Sequence, residues 1–140
     1  MILLVEDDPN DEFLTLRALR LIKIQSEVIV VRDGMEALDF LFCENQYSER
    51  SGDLPELILL DIKLPKLDGL EVLRRLRANP KTRFLPVVIL SSSKEDQDLK
   101  KAYQSGANSF LRKPVDFTQF MEYMRQLSLY WLQMNEAPPK

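Results

Sequence analysis

Residues 57–65 read Leu57-Ile58-Leu59-Leu60-Asp61-Ile62-Lys63-Leu64-Pro65. Four branched apolar residues stop abruptly at a carboxylate. The run does not alternate, so it reads as a central parallel strand buried on both faces. Asp61 then sits at the strand's carboxyl end, where open α/β sheets put their ligands. An isolated carboxylate there is costly to bury. It needs a metal, a positive partner, or chemistry to perform.

Outward from this strand, the same pattern recurs. Residues 2–5 are Ile-Leu-Leu-Val and end in Glu6-Asp7-Asp8. Asp8-Pro9 then opens a helix, an N-cap followed by proline at the first helical position, with apolar spacing to about Ile24. Residues 27–31 form a second β-branched run at an edge, and Asp33 caps a helix through about Glu44. Residues 45–55 are polar and read as a surface loop, long for its place and read as a tolerated insertion. After Asp61, Asp68-Gly69 begins a third helix that ends near Asn79-Pro80. Residues 85–90 form a strand ending in Ser91-Ser92-Ser93. A polar helix spans about 95–105 and is terminated by Gly106. Residues 109–112 make the fifth strand, followed by Lys113-Pro114, and Asp116 caps a last helix to about Met134. Strands alternate with helices throughout, which predicts an α/β protein, a (βα)5 unit with a doubly wound parallel five-stranded sheet.

Composition bounds the function. The chain has 140 residues, 45% hydrophobic and 29% charged, with net charge −3. One domain over 1–134 and a frayed tail over 135–140 are expected. The charge disfavours a general nucleic-acid or membrane-surface role. A single cysteine, Cys43, permits no internal disulfide and fits a reducing, cytoplasmic compartment. There is no histidine, which excludes Ser-His-Asp, Cys-His and His-zinc sites, and excludes this chain as a phosphohistidine donor. The four glycines build neither a Walker A loop nor a dinucleotide fingerprint. Arg74, Arg75, Arg77, Lys81 and Arg83 cluster locally and read as a solvated face.

In a parallel sheet the strand ends share one edge, so Glu6, Asp7, Asp61, Ser91 and Lys113 converge. Several carboxylates repel one another in a cleft of low dielectric. A hard divalent cation on oxygen ligands relieves this, and Mg²⁺ suits it. The set is suited to phosphoryl transfer onto Asp61, with a metal on the phosphoryl oxygens and Lys113 holding their charge.

At these residues the chain resembles the receiver domain of a two-component response regulator. The matching stretches are Leu4-Val5-Glu6-Asp7-Asp8, Asp61-Ile62-Lys63-Leu64-Pro65 with Asp68-Gly69, Ser91 after Val87-Val88-Ile89-Leu90, and Gly106-Ala107 leading to Lys113-Pro114. The resemblance implies the flavodoxin-like strand order 2-1-3-4-5. It implies Asp61 as phosphoacceptor, and Glu6, Asp7, Asp61 and the Lys63 backbone carbonyl as the Mg²⁺ site. Lys113 and Ser91 would hold the phosphate, Ser91 and Phe110 would switch, and the Lys113–Pro114 peptide would be cis. The loop from Cys43, the triple serine and the ending Tyr130-Trp131-Leu132 resemble single-domain regulators paired with bacterial and cyanobacterial phytochrome histidine kinases. Such a chain is no enzyme beyond its own phosphorylation and dephosphorylation, and signals by protein contact without binding DNA or membrane.

Competing readings fit less well. A haloacid-dehalogenase-like phosphatase needs a second Asp two positions after the nucleophile, where this chain has Lys63. In a flavodoxin, Glu6-Asp7-Asp8 would repel the flavin phosphate. A receiver-fold scaffold without phosphotransfer would have no reason to keep every site residue.

The last helix carries a further expectation. On a helical wheel its apolar residues cover an arc of roughly 200°, about twice what one core-facing stripe needs. Tyr123, Leu127, Tyr130 and Met134 extend the arc and are expected to form a homodimer interface.

Overall fold

The computed structural model describes residues 1–114 and 116–139. Five parallel strands lie in the order β2-β1-β3-β4-β5: β1 is Ile2–Val5, β2 Val28–Val31, β3 Leu57–Leu60, β4 Val87–Ser91 and β5 Ser109–Arg112. Helices α1 (Pro9–Leu21), α2 (Gly34–Phe42), α3 (Gly69–Ala78), α4 (Asp96–Gln104) and α5 (Phe117–Leu129) connect and follow them. The expected doubly wound sheet and its strand order are both present.

Alternation along the strands divides the core. Leu3, Val5, Ile58, Leu60, Val87 and Ile89 face one way, against Ala37, Leu41, Leu73, Leu76 and Ala102 of α2, α3 and α4. Ile2, Leu4, Leu57, Leu59, Val88 and Leu90 face the other way, against Ala18 and Leu19 of α1 and Phe120 and Met124 of α5. Both faces of β1, β3 and β4 are therefore dry, which is why their sequences run apolar without a break. Each fully buried Leu or Ile contributes roughly 1.5–3 kcal/mol over leaving it exposed.

Aspartates start the helices as expected. The Asp8 carboxylate accepts from Asn10 N and Asp11 N, Asp33 from Glu36 N, Asp68 from Leu70 N, and Asp116 from Thr118 N. Helix ends differ more. Helix α1 stops at Leu21 rather than Ile24, with Lys23 at φ 59°. Helix α2 stops at Phe42 because Cys43 turns left-handed at φ 55°. After α5 the chain widens into a π turn over Tyr130–Met134, closed by Asn135 N donating to Tyr130 O at 2.7 Å. Residues 135–139 are irregular. Among the described residues no helix is long and apolar enough to cross a membrane.

Two regions are more tightly built than the sequence suggested. The 45–55 loop contains a 3-10 turn, Asn45–Tyr47, and is pinned to α2. Tyr47 Oη donates to Glu36 at 2.8 Å, Arg50 Nε donates to Phe40 O at 2.9 Å, and the Arg50 guanidinium lies 3.9 Å over the Phe40 ring. In the basic cluster, Arg77 is half-buried rather than free in solvent. It donates to the carbonyls of Gly106, Arg83 and Leu85 and to Asn108 Oδ1, at 2.8–3.0 Å. Loss of solvent around it lowers its affinity for its proton.

Gly69 fixes the loop that leaves β3. Its amide donates to Ile62 O at 2.7 Å. A Cβ at this position would land on the Asp61 carbonyl, which is backbone and cannot give way. Gly69→Ala is expected to destabilise the fold by about 1–3 kcal/mol through overpacking. Urea denaturation checks this; an unchanged midpoint would mean that the turn relaxes freely.

Candidate functional site

The register of the sheet builds the site. Val5 pairs with Leu60 across β1 and β3, so the next residues, Glu6 and Asp61, emerge side by side. Asp61 N donates back to Val5 O at 3.1 Å, and Glu6 N to Val31 O at 3.0 Å. Carboxylate oxygens of Glu6, Asp7 and Asp61 all lie within 4.8 Å of one another. Asp7 is exposed and Asp61 half-buried, whereas Glu6 keeps only 1% of its surface.

From the far side of the sheet, Ser91 closes β4 and Lys113 follows β5. Lys113 N donates to Ser91 O at 2.8 Å, which ties the two strand ends together. Ser91 is 3% exposed, and its hydroxyl accepts from Ser93 N at 3.0 Å. The Lys113 ammonium reaches Glu6 Oε1 at 2.6 Å and Asp11 Oδ2 at 3.1 Å. Phe110 is partly buried against the core on the α2–α4 face. All the strand-end residues singled out from the sequence are thus brought to one edge. The Lys63 side chain is exposed in the loop beyond Asp61.

One expectation fails. No cis peptide bond occurs among the described residues, so Lys113–Pro114 is trans. A trans bond is the intrinsic preference before proline by about 0.5–1 kcal/mol. Here the Lys113 amide and ammonium reach Ser91 and Glu6 without the alternative isomer.

Asp11 was not singled out, yet its carboxylate pairs with the Lys113 ammonium. The signal was available in principle. A first-turn residue of α1 has its Cα–Cβ bond tilted toward the helix N-terminus, and so toward the carboxyl edge of the sheet.

The electrostatics follow from crowding. Burial pushes the Glu6 carboxyl up to about 7; the hydrogen bond and charge of Lys113 pull it back, and the charge of Asp61 adds to the rise. Burial also raises Asp61, opposed by the charge of Lys113, a hydrogen bond with Glu6, and the amides of Lys63 and Ile62. For Lys113 burial acts downward, but the bond and charge of Glu6, the charge of Asp61 and the bond to Asp11 outweigh it, so its affinity for its proton rises. Three oxygen donors clustered this closely fit a hard divalent cation, which would replace proton sharing as the means of relieving repulsion.

The response regulator receiver domain model matches residues 2–125. The chain belongs to that family. This receiver is 49% identical to the structure of the bacteriophytochrome response regulator RtBRR, with TM-score 0.80, covering 99% of this chain and 83% of that one. It is 36% identical to the phosphorylated cyanobacterial phytochrome response regulator RcpA, with TM-score 0.90, covering 99% and 97%. Response regulator Rcp1 of Synechocystis sp. is 35% identical over 138 residues, 99% of this chain and 92% of that protein. The Mn²⁺-bound structure of Rcp1 superimposes with TM-score 0.88, covering 99% of this chain and 98% of that one.

The raised carboxyls give a pH signature. Below about pH 7 Glu6 holds a proton in the cation-free protein, and a cation takes only the ionised form. Apparent affinity for a divalent cation is therefore expected to fall as pH drops through about 7, with protons released on binding. Calorimetry in two buffers of different ionisation enthalpy measures the release; equal heats near pH 6.5 would contradict it.

Proposed function

We propose that this receiver accepts a phosphoryl group on Asp61 from a phosphohistidine of a phytochrome-class histidine kinase, and passes the signal on by protein contact. The observation that carries the reading is the cluster of Glu6, Asp7 and Asp61 facing the Lys113 ammonium at one sheet edge. An Asp61 carboxylate oxygen attacks phosphorus in line, the P–N bond breaks, and the imidazole leaves with the bonding pair and takes a proton. Glu6, Asp7, Asp61 and the Lys63 carbonyl would hold Mg²⁺, which would supply positive charge to the phosphoryl oxygens. Lys113 holds those oxygens through a charge-assisted bond. The Ser91 hydroxyl donates to the same group, and Phe110 repacks with it, giving the two-state element that phosphorylation biases.

The likeness to the bacteriophytochrome response regulator RtBRR and the phytochrome response regulator RcpA supports the phytochrome-class partner. We take the protein to be cytoplasmic, to bind neither DNA nor membrane, and to catalyse only its own phosphorylation and dephosphorylation. We also take it to form a homodimer through α5 and the turn after it. Tyr130 is 47% and Met134 62% exposed, and with Leu129 at 41% they form a run of exposed large side chains at the end of the chain's last helical segment. Tyr123 is half-buried at the same helix, and Leu127 is partly packed on the core, so its share of an interface is an edge.

Incubation with acetyl phosphate and Mg²⁺, followed by intact mass measurement, is expected to show one added phosphate. The adduct should vanish in Asp61→Asn and in EDTA; persistence in either would remove Asp61 from its role. Light scattering at tens of micromolar is expected to give twice the chain mass for wild type. Tyr130→Glu with Met134→Glu should return it to one. A monomeric wild type, phosphorylated or not, would exclude the dimer.

A further inference from the structure

Among the described residues Lys113 has two carboxylate partners, and they are not equivalent. Glu6 binds it at 2.6 Å with its side chain only 2% exposed, so releasing the lysine would strand a charge away from water. Asp11 binds it at 3.1 Å with 33% of its side chain exposed, so water can take over when the lysine leaves. Among the described residues, no ion pair joins Lys113 to Asp61 itself. The ammonium is held between the end of β1 and the first turn of α1, on Glu6 and Asp11.

A merely structural role for the Asp11–Lys113 bond is poorly motivated. The start of α1 is already fixed by the Asp8 cap. Its body is fixed by Ala18 and Leu19 packing with Phe120 and Met124 of α5. Asp11 and Lys113 line a cavity of about 60 Å³ with Leu14, Phe117 and Phe120.

We propose that Asp11 is a positioning residue: its carboxylate holds the Lys113 ammonium back from Asp61 and is the partner the lysine gives up when Asp61 gains a phosphoryl group. This rests on Asp61 being the acceptor. A phosphoryl group brings close to two negative charges. The lysine is drawn to it, Asp11 is rehydrated, and the bond between α1 and the residue after β5 opens. Asp11 thus makes phosphorylation harder in the resting protein, and makes the start of α1 a reporter of the phosphorylated state.

The test measures the affinity of a beryllofluoride phosphoryl mimic in the presence of Mg²⁺, by NMR titration, in a double-mutant cycle. Asp11→Asn keeps the size and removes the charge. It is expected to bind the mimic about three- to tenfold more tightly than wild type, as for loss of one competing, partly exposed ion pair. Asp11→Ser should do the same and serves if the first variant folds poorly, while Asp11→Glu, which keeps the charge, should stay near wild type. In a Lys113→Ala background, Asp11→Asn should have no effect, because the proposal acts through that lysine. An unchanged affinity on Asp11→Asn, or an equal gain with and without Lys113, would overturn it; the second result would reduce Asp11 to a general field effect. A wild type that binds no mimic would instead remove the acceptor role of Asp61, and this inference with it.

Discussion

Glu6 is withdrawn from water at the end of β1, and its charge is tolerable there only because Lys113 reaches across from the end of β5. Much else in the structure depends on that pairing. It spans the sheet from the first strand to the last, over a sequence separation of 107 residues. It ties β1, the strand next to the β2 edge, to β5 at the opposite edge. It also sets the local potential in which Asp61 sits, since burial favours the protonated acid and the ammonium favours the anion. A buried pair of this kind is weak as a source of stability, because desolvation consumes much of the Coulombic gain. Its presence is better explained by the group it stands beside.

The architecture was legible because it is written locally. Short unbroken apolar runs at 2–5, 57–60 and 87–90, each closed by a polar residue, fit strands covered on both faces. Aspartates before Pro9, Gly34, Gly69 and Phe117 marked helix starts because the cap acts on the backbone two or three residues away. Glu6, Asp7, Asp61, Ser91 and Lys113 followed from those boundaries alone.

What was not legible depended on contacts between distant segments. Nothing near Cys43 announces a left-handed turn, and no glycine stands there to signal it. The 45–55 loop looked like a tolerated insertion because its anchors are the face of Phe40 and the carboxylate of Glu36, not any pattern of its own. Asp11 looked like an ordinary acidic residue of a first helical turn, a common and sufficient explanation until Lys113 arrives from 102 positions away. The trans bond before Pro114 reflects a choice between two nearly balanced isomers that the surrounding sequence does not encode.

Arg77 shows what such distant contacts mean for inheritance. Its guanidinium is shared among three carbonyls and one side-chain amide drawn from two separate loops, none of them charged. Lysine would preserve the charge, but its single ammonium cannot present a planar fork to acceptors spread over that arc. A lineage can drift more freely through Arg75, which among the described residues pairs with Glu71 on its own helix. At position 77 a change that looks mild on paper would orphan carbonyls in both loops at once. Descendants would have to alter the turn at Gly106 and the approach to β4 together, or keep the arginine.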